Sequence, residues 1–188
     1  MSAKRANHKG RGETMEVTLR KATEDDLTGI LDLVNGYAAQ NLMLPRTAEQ
    51  VRRVLPHFYV AVEGGAVVGC GSNVPLNPQL VELRSLAVAP QARGTGLGRR
   101  IVETLVVAAR DAGYERICAL TLNEGFFNAC GFETVDRWAI TPKIWQECIY
   151  CPKFDACDEI AVLMNLREPV VAAGTYGVIA LRPAFAGA

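Results

Sequence analysis

A strand, a glycine-rich loop and a helix follow one another without interruption in the segment Glu82–Arg99, and this arrangement constrains the fold more than any other part of the chain. An apolar run of strand length comes first, and Pro90 stops it because proline has no N–H to donate to a neighbouring strand. Gly94, Gly96 and Gly98 then lead directly into an amphipathic helical pattern. In such a loop the backbone N–H groups point outward with no Cβ in the way, and the helix dipole favours negative charge. The segment therefore predicts a site for a phosphate or a pyrophosphate.

The spacing of the glycines distinguishes three kinds of phosphate-binding loop. A P-loop ends in Gly-Lys-Ser/Thr, and this segment has no such lysine. A Rossmann loop reads Gly-x-Gly-x-x-Gly with an acidic residue about 20 residues later, whereas here the glycines alternate and Glu115 opens the next strand. The third pattern, Gln/Arg-x-x-Gly-x-Gly/Ala, is present as Gln91-Ala-Arg-Gly94-Thr-Gly96 and resembles the acetyl-CoA loop of the GNAT acetyltransferases. Taken alone, the match is equally compatible with a glycine-rich turn that caps a helix.

Composition places the chain among ordinary globular proteins. Its 188 residues suffice for one domain with a hydrophobic core, and 49% hydrophobic with 21% charged residues is typical of such a domain. Because 20 basic residues balance 20 acidic ones, no overall field attracts nucleic acid or an anionic membrane. We find no apolar run near the length of about 18 residues that spans a bilayer, and no secretory signal. We therefore expect a cytoplasmic protein with mostly reduced cysteines, a small-molecule substrate and no nucleic-acid or membrane partner.

Two terminal segments fall outside the predicted domain. Residues 1–14 are basic and almost without apolar side chains, so we expect a disordered tail, and Met15 is an alternative start of translation. Residues 168–188 are rich in alanine, glycine and proline and show no periodicity, which predicts a poorly ordered C-terminal tail. A single domain is therefore expected over residues 15–167.

Between these tails, hydrophobic periodicity predicts elements in the order β-α-α-β-β-β-α-β-α-β. Strands are expected over 16–22, 58–63, 67–73, 82–89 and 116–123, with another strand starting after Gly131-Phe132, and helices over 23–36, 47–55, 97–111 and 125–130. A helix over 141–150 and a last strand over 160–166 follow these elements. Gly64-Gly65 is expected to form a two-residue hairpin turn. This order resembles that of a GNAT domain, over about residues 15–166. The resemblance implies an α/β (α+β) fold in which a mixed central sheet is splayed between two parallel strands and carries helices on both faces.

The resemblance also implies how acetyl-CoA binds. Leu86–Val88 would pair with the pantetheine arm, Ala92–Gly98 would hold the pyrophosphate, and the backbone N–H of Leu86 or Ala87 would donate to the thioester oxygen. The residues expected to bind the co-substrate are Leu86, Ala87, Val88, Gln91, Ala92, Arg93, Gly94, Thr95, Gly96, Leu97, Gly98, Arg99, Asn123, Phe126 and Phe127. Asn123 could bind CoA or order water, or it could simply cap the end of a strand.

Five separate motifs narrow the resemblance to the short bacterial N-acetylglutamate synthases, which lack the amino-acid-kinase domain of the longer enzymes. The motifs are Met43-Leu-Pro-Arg46-Thr47, Glu82-Leu-Arg84-Ser-Leu-Ala-Val88, Ala119-Leu-Thr121-Leu-Asn123, Phe126-Phe127-x3-Gly131-Phe132 and Ile144-Trp145-x2-Cys148-x2-Cys151-Pro-Lys-Phe-x2-Cys157-Asp-Glu159. Those enzymes transfer the acetyl group of acetyl-CoA to glutamate in the first step of arginine synthesis. The resemblance therefore implies direct attack of the α-amino group of an amino acid on the thioester, and it allows a homodimer.

Two side chains are candidates for catalysis, which needs a route for the amine proton and an acid for the leaving thiolate. Glu82 opens the central strand near the expected thioester and could accept the proton through water. The alternative is a solvated strand-end glutamate, but the position and the family match together favour the catalytic role. Many GNAT enzymes use as the acid a tyrosine four residues before a Gly-Phe pair, and Phe127 stands at that position here. In the glutamate synthases a serine that matches Thr121 has this role, so Thr121 is a candidate acid as well as an ordinary strand residue.

Two arginines are candidates for binding the carboxylates of the acceptor. Arg46 follows the first helix in the loop that borders the acceptor site of GNAT enzymes, matches an arginine of the glutamate synthases, and could bind a carboxylate through two N–H groups. Arg84 lies on the same strand face as Glu82, where it needs a partner such as glutamate or Glu82 itself. Both could instead form surface ion pairs. The longer enzymes also use an arginine and a serine near the C-terminus, for which we find no clear match.

Three cysteines form a possible metal motif near the end of the domain. Cys148, Cys151 and Cys157 could bind zinc with Asp158 or a distant cysteine as the fourth ligand, but the second Cys-x2-Cys pair typical of zinc sites is missing. We therefore predict no metal site, and favour reduced thiols or a redox cross-link.

Two alternatives to glutamate acetylation follow from the same residues. One is a GNAT activity on another amino acid, a polyamine or a protein N-terminus. The other is an acetyl-CoA-binding regulatory module without turnover, because Phe127 removes the common acid.

Overall fold

The computed structural model describes residues 16–167, which form a seven-stranded sheet in the order β1-β2-β3-β4-β5-β7-β6. The strands are β1 Thr18–Lys21, β2 Phe58–Glu63, β3 Ala66–Pro75, β4 Leu80–Val88, β5 Arg116–Thr121, β6 Glu133–Val135 and β7 Ile160–Asn165. The helices are α1 Leu27–Ala38, α2 Ala48–Arg53, α3 Leu97–Asp111, α4 Glu124–Ala129 and α5 Thr141–Gln146. None of these helices combines the length and the apolar composition that crossing a bilayer requires. Our expectations for residues 1–14, Met15 and 168–188 lie outside the described residues.

The structure confirms the predicted succession of elements and the hairpin turn at Gly64-Gly65, where φ is 56° and 82°. Two of the boundaries that differ have a visible structural cause. β5 ends at Thr121 because its Oγ1 accepts the N–H of Asn123 at 2.9 Å and turns the chain toward α4. The predicted helix 141–150 stops at Gln146, and a separate 3-10 turn over Cys148–Tyr150 follows. The remaining boundaries differ by a few residues, as side-chain caps and frayed ends produce.

The strands β4 and β5, the parallel pair of this sheet, separate soon after they begin to pair. Their register covers Leu80–Glu82 against Arg116–Cys118, although both strands continue beyond it. β4 contains a bulge, because Ser85 and Leu86 lie opposite Gly71 of β3, and Ser85 has a left-handed φ of 55°. A bulge bends its strand, so β4 leaves β5 directly after the paired residues. The predicted splay between two parallel strands is thus present, and it opens a cleft.

Helices cover both faces of the sheet, as predicted, and position the glycine loop. α1 and α2 bury Ile30 and Val51 in one cluster, while α3 buries Ile101 and Leu105 in a second cluster. α3 packs closely against β3 at Gly69, which has no side chain. A Cβ at this position would come within 2.7 Å of the Ile101 side chain. This close approach fixes the start of α3, and therefore the glycine loop, beside the end of β4.

Candidate active site

The cleft between the diverging ends of β4 and β5 has a volume of about 1240 Å³ and brings most of the predicted site residues together. Its lining includes Arg46, Glu82, Arg84, Leu86, Val88, Ala92, Arg93, Gly94, Gly96, Leu97, Gly98, Arg99, Thr121, Asn123, Phe126 and Phe127. Three predicted residues do not line the cleft. Ala87 is buried in the core beside α1, and Gln91 and Thr95 are exposed to solvent outside the cleft lining. We call the part of the cleft at the glycine loop the donor end, and the part around Glu82 the acceptor end.

Backbone groups dominate the donor end. Gly94 and Gly96 have φ values of 75° and 82°, and a Cβ at either position would meet no atom within 4 Å. Glycine is therefore needed for the backbone conformation, and the space above it stays open for a ligand. Gly96 precedes the 15-residue helix α3, and no side chain caps this end, so the first N–H groups of the helix are available to an anion. These features fit the pyrophosphate of acetyl-CoA.

The edge of β4 extends the donor end toward the centre of the sheet. Beyond its three paired residues, β4 has no strand partner on the β5 side within the described part of the chain. Leu86 lies in the bulge and lines the cleft, whereas Ala87 pairs with Cys70 of β3. Tyr37 donates its hydroxyl to the Val88 carbonyl at 2.6 Å, which anchors the end of the strand to α1. Of the two candidate N–H donors, Leu86 is therefore the better placed.

Four charged side chains form a closed ring of ion pairs at the acceptor end. Glu82 contacts Lys143 Nζ through Oε1 (2.9 Å) and Arg84 Nη2 through Oε2 (2.6 Å). Glu147 contacts the same two cations, Lys143 through Oε2 (2.6 Å) and Arg84 through Oε1 (2.7 Å). Glu82 is only 4% exposed, so its interpretation as a solvated strand-end residue is wrong. We call these four residues the charge ring.

The charge ring holds Lys143 and Glu147 in their ionised forms. Burial alone would lower the pKa of the Lys143 ammonium, but the carboxylates of Glu82 and Glu147 outweigh both burial and the charge of Arg84, and they raise that pKa. Burial alone would raise the pKa of the Glu147 carboxyl, but Lys143 and Arg84 hold it below its ordinary value. Within residues 16–167, Glu82 Oε2 is buried without a hydrogen-bond partner, because its contact with Arg84 Nη2 lacks hydrogen-bond geometry, and Arg84 Nε is likewise buried without a partner. A polar group of a ligand can form the missing hydrogen bond with either atom.

The predicted acid Thr121 lies at the end of β5 and is 8% exposed in the cleft wall. Its Oγ1 accepts the N–H of Asn123, so its own O–H remains a donor. Asn123 Oδ1 accepts the N–H of Phe126 at 3.2 Å, so this residue caps the start of helix α4 and not the end of a strand. Phe127 is 5% exposed and meets Phe126 and Phe132 edge to face. Apolar core therefore occupies the position at which many GNAT enzymes carry the tyrosine.

Arg46 is held at the wall of the cleft by its backbone. Its N–H and C=O bond to the side chain of Asn35 in α1 at 2.9 and 3.0 Å. Its side chain lines the cleft, and no acidic residue within 16–167 forms an ion pair with it. Arg84, in contrast, is engaged by Glu82, the partner that its strand position predicted, and by Glu147. Unlike Arg84, Arg46 is therefore a cation of the cleft without an acidic partner among residues 16–167.

Two cysteines of the predicted motif line the cleft. Cys148 and Cys151 face the cleft, and all three cysteines of the predicted motif, including Cys157, are partly buried free thiols. Burial raises the pKa of the Cys148 thiol above its ordinary value. Over residues 16–167, no three His, Cys, Asp or Glu side chains are grouped so as to hold a metal ion.

Sequence reasoning missed Lys143 and Glu147. The two residues lie four positions apart at the end of α5, and opposite charges at this spacing were a usable signal. A second signal was Arg84, because an arginine in an otherwise apolar strand demands acidic neighbours. The contact between Arg84 and Glu147 joins residues 63 positions apart, and such a pairing has no signature in one sequence.

Comparison with known proteins agrees with this geometry. The acetyltransferase (GNAT) family matches residues 24–132. An uncharacterised N-acetyltransferase of Chlorobaculum tepidum is 36% identical over 151 residues, which is 80% of this chain and 97% of the relative. An amino-acid acetyltransferase of Mycobacterium tuberculosis is 32% identical over 140 residues, or 73% of this chain and 79% of the relative.

Two solved structures share the fold. Rv2747 of Mycobacterium tuberculosis, solved in complex with CoA and NLQ, matches with a TM-score of 0.69 and 28% identity over 80% of this chain and 99% of that protein. The N-acetylglutamate synthase of Neisseria gonorrhoeae, solved with coenzyme A and N-acetyl-glutamate, matches with a TM-score of 0.71 and 22% identity over 83% of this chain and 36% of the synthase. The glycine loop, the splayed sheet and these matches together show that the chain belongs to the acetyltransferase (GNAT) family and is an acyltransferase with acetyl-CoA as its co-substrate.

Proposed function

We propose that the protein acetylates the α-amino group of L-glutamate and so forms N-acetylglutamate for arginine synthesis. The observation that carries the proposal is the position of Arg46, a cation without an acidic partner among residues 16–167, in the same cleft as Glu82 and the glycine loop. A guanidinium can bind an acceptor carboxylate through two parallel N–H groups and so orient the amine. The name of the Mycobacterium tuberculosis relative, amino-acid acetyltransferase, supports an amino acid as the acceptor, and the motif around Arg46 supports glutamate.

Different residues of the cleft have different roles in the proposed reaction. Acetyl-CoA supplies a thioester, whose carbonyl carbon the neutral amine attacks as the CoA thiol leaves. Glu82 accepts the amine proton through water, because it is a buried carboxylate of the cleft and the last residue of β4 that pairs with β5. The N–H of Leu86 stabilises the carbonyl oxygen, and the O–H of Thr121 donates to the departing sulfur.

A neutral amino acid is the second candidate acceptor, and the charge ring favours it. Arg84 and Lys143 are already compensated by Glu82 and Glu147, so the ring as a whole has no net charge. Among residues 16–167, the acceptor end would then offer one uncompensated cation, Arg46, while glutamate brings two carboxylates. An amino acid with a single carboxylate would match that count directly.

Thiol release from acetyl-CoA with a panel of amines tests the proposal. The panel contains glutamate, glutamine, a neutral aliphatic amino acid and a polyamine, and we expect the highest kcat/KM with glutamate. Arg46→Ala should lower this value about 10- to 100-fold, because it removes a charge-assisted hydrogen-bonding pair. Arg52→Ala is the matched control, since Arg52 is an exposed arginine of the neighbouring helix α2 that pairs with Glu24. Equal release with all amino acids, or no effect of Arg46→Ala, contradicts the proposal.

A further inference from the structure

Glu147 differs from the other members of the charge ring in its exposure to solvent. Its side chain is 37% exposed, whereas those of Arg84, Lys143 and Glu82 are 14%, 9% and 5% exposed. All four residues line the cleft. The ring thus consists of three buried side chains and a fourth that lies where the ring meets the open cleft.

Glu147 binds its two cations as a free carboxylate ligand would. One of its oxygens contacts Arg84 Nη2 at 2.7 Å, and the other contacts Lys143 Nζ at 2.6 Å. The residue lies just beyond α5, at φ −135° and ψ −46°, and its N–H bonds to the Lys143 carbonyl at 3.1 Å. Because several staggered rotamers are open to a glutamate, rotation about its side-chain bonds can withdraw the carboxylate into the cleft without a change in α5.

Withdrawal of Glu147 would leave a strong site for an anion. Arg84 and Lys143 would then share Glu82 alone, and two buried cations beside one carboxylate carry an uncompensated charge that is costly to bury. Arg84 Nε adds a buried N–H that has no hydrogen-bond partner even with Glu147 in place. While Glu147 remains, in contrast, an incoming carboxylate meets two anions whose cations are already occupied.

We propose that Glu147 is an internal occupant of a carboxylate subsite formed by Arg84 and Lys143, and that a carboxylate of the acceptor replaces it there. The inference rests on the proposed function, because it requires an amino acid as the acceptor. Exchange of one carboxylate for another keeps the ring neutral and leaves Glu82 in contact with both cations. It also gives the acceptor end a second carboxylate site besides Arg46, as a dicarboxylic amino acid requires.

Glu147→Gln tests the exchange. Glutamine keeps the shape of the side chain but loses the negative charge with which Glu147 competes against the carboxylate of the acceptor. The KM for glutamate should fall about tenfold, while the KM for acetyl-CoA stays the same. Glu159→Gln is the matched control, since Glu159 lines the same cleft but forms no ion pair with Arg84 or Lys143. An equal fall in both variants would be a general electrostatic effect, and an unchanged or higher KM in Glu147→Gln would make Glu147 a fixed part of the site. Either result overturns the inference.

Acceptor analogues with one carboxylate sharpen the same experiment. Glutamine lacks the side-chain carboxylate and glutamate α-amide lacks the main-chain carboxylate. The KM of at least one analogue should fall less in Glu147→Gln than the KM of glutamate, because one of the two lacks the group that enters the subsite. Equal falls for all three compounds overturn the exchange.

Two further measurements keep the outcome interpretable. Thermal melting checks that each variant is folded, and Glu147→Asp, which keeps the charge on a shorter side chain, should lower the KM by a smaller factor than Glu147→Gln. The wild-type protein tests the proposed function by itself, because absence of glutamate turnover refutes glutamate as the acceptor. The inference is then judged on the amino acid that the panel identifies, and a KM for that amino acid that does not fall in Glu147→Gln overturns it.

Discussion

The two ends of the cleft are built from different parts of the polypeptide. At the donor end, the groups that meet a ligand are backbone N–H groups, presented by Gly94, Gly96 and the uncapped start of α3. At the acceptor end they are side chains, and four of them hold one another in the charge ring. One continuous segment sets the conformation of the donor end, whereas the acceptor end requires β4 and α5 to be brought together by the whole fold. Changes at one end should therefore leave the other end intact.

The largest expected effect comes from Glu82→Gln, and it should fall on the acceptor end alone. The variant loses the proposed proton acceptor, so acetyl transfer should slow about 10²–10⁴-fold, while the Kd for CoA stays the same. Thiol release measures the first quantity and calorimetric titration the second. Glu115→Gln removes another strand-end glutamate, one that pairs with Arg167, and should change neither. Loss of CoA binding in Glu82→Gln would show that the two ends are not independent.

Lys143→Met tests whether the charge ring also supports the fold. The free energy of unfolding should fall by about 3–5 kcal/mol, because the buried carboxylate of Glu82 and the partly exposed one of Glu147 would keep only Arg84 as a partner. Denaturant unfolding curves provide the measurement. Lys153→Met is the control, since Lys153 is exposed and forms no ion pair over residues 16–167, and its effect should stay below about 0.5 kcal/mol. If both variants are equally mild, the ring contributes little to stability.

Gly96→Ala tests the backbone origin of the donor end. Alanine disfavours the φ of 82° at this position by about 1–2 kcal/mol, so the loop should relax and turn its N–H groups away from the pyrophosphate. Restoring the loop on binding should raise the Kd for CoA about tenfold, whereas the KM for the acceptor should not change. Gly113→Ala is the matched control, because Gly113 has a φ of 85° and equally open space but follows the opposite end of α3. A Kd that rises equally in both variants would contradict a local role of the loop.

The donor end could be predicted from the sequence, whereas the acceptor end could be predicted only in part. The segment Gly94–Gly98 identifies the donor end because glycine spacing reports backbone conformation directly. Arg84 was predicted to need an acidic partner on its strand face, yet Glu147 was not found, since side-chain pairing across the fold leaves no local pattern. The bulge that opens the cleft was also missed, because Ser85 is not a residue type that favours positive φ. Local conformation was readable from residue types, and tertiary pairing was not.

The smallest expected effect lies outside the cleft, at the ion pair between Arg20 and Asp26. Arg20 donates two hydrogen bonds to Asp26, at 2.7 and 2.8 Å, and Thr23 donates its N–H to the same carboxylate. Arg20, opposed by burial and helped by Thr23, lowers the pKa of Asp26 from 3.8 to about 2. Because this pKa is lower in the folded chain, the stabilisation is present above about pH 4 and disappears as the pH falls toward 2.

Asp26→Asn should therefore lower the free energy of unfolding by about 1 kcal/mol at neutral pH and by almost nothing near pH 2. The value is modest because Arg20 is 41% exposed and solvent screens the pair. Denaturant unfolding of both proteins at the two pH values checks the difference. Since Asp26 lines neither end of the cleft, the Kd for CoA and the KM for the acceptor should equal those of the wild type. A change in either constant would mean that general stability, rather than local structure, determines binding at that end.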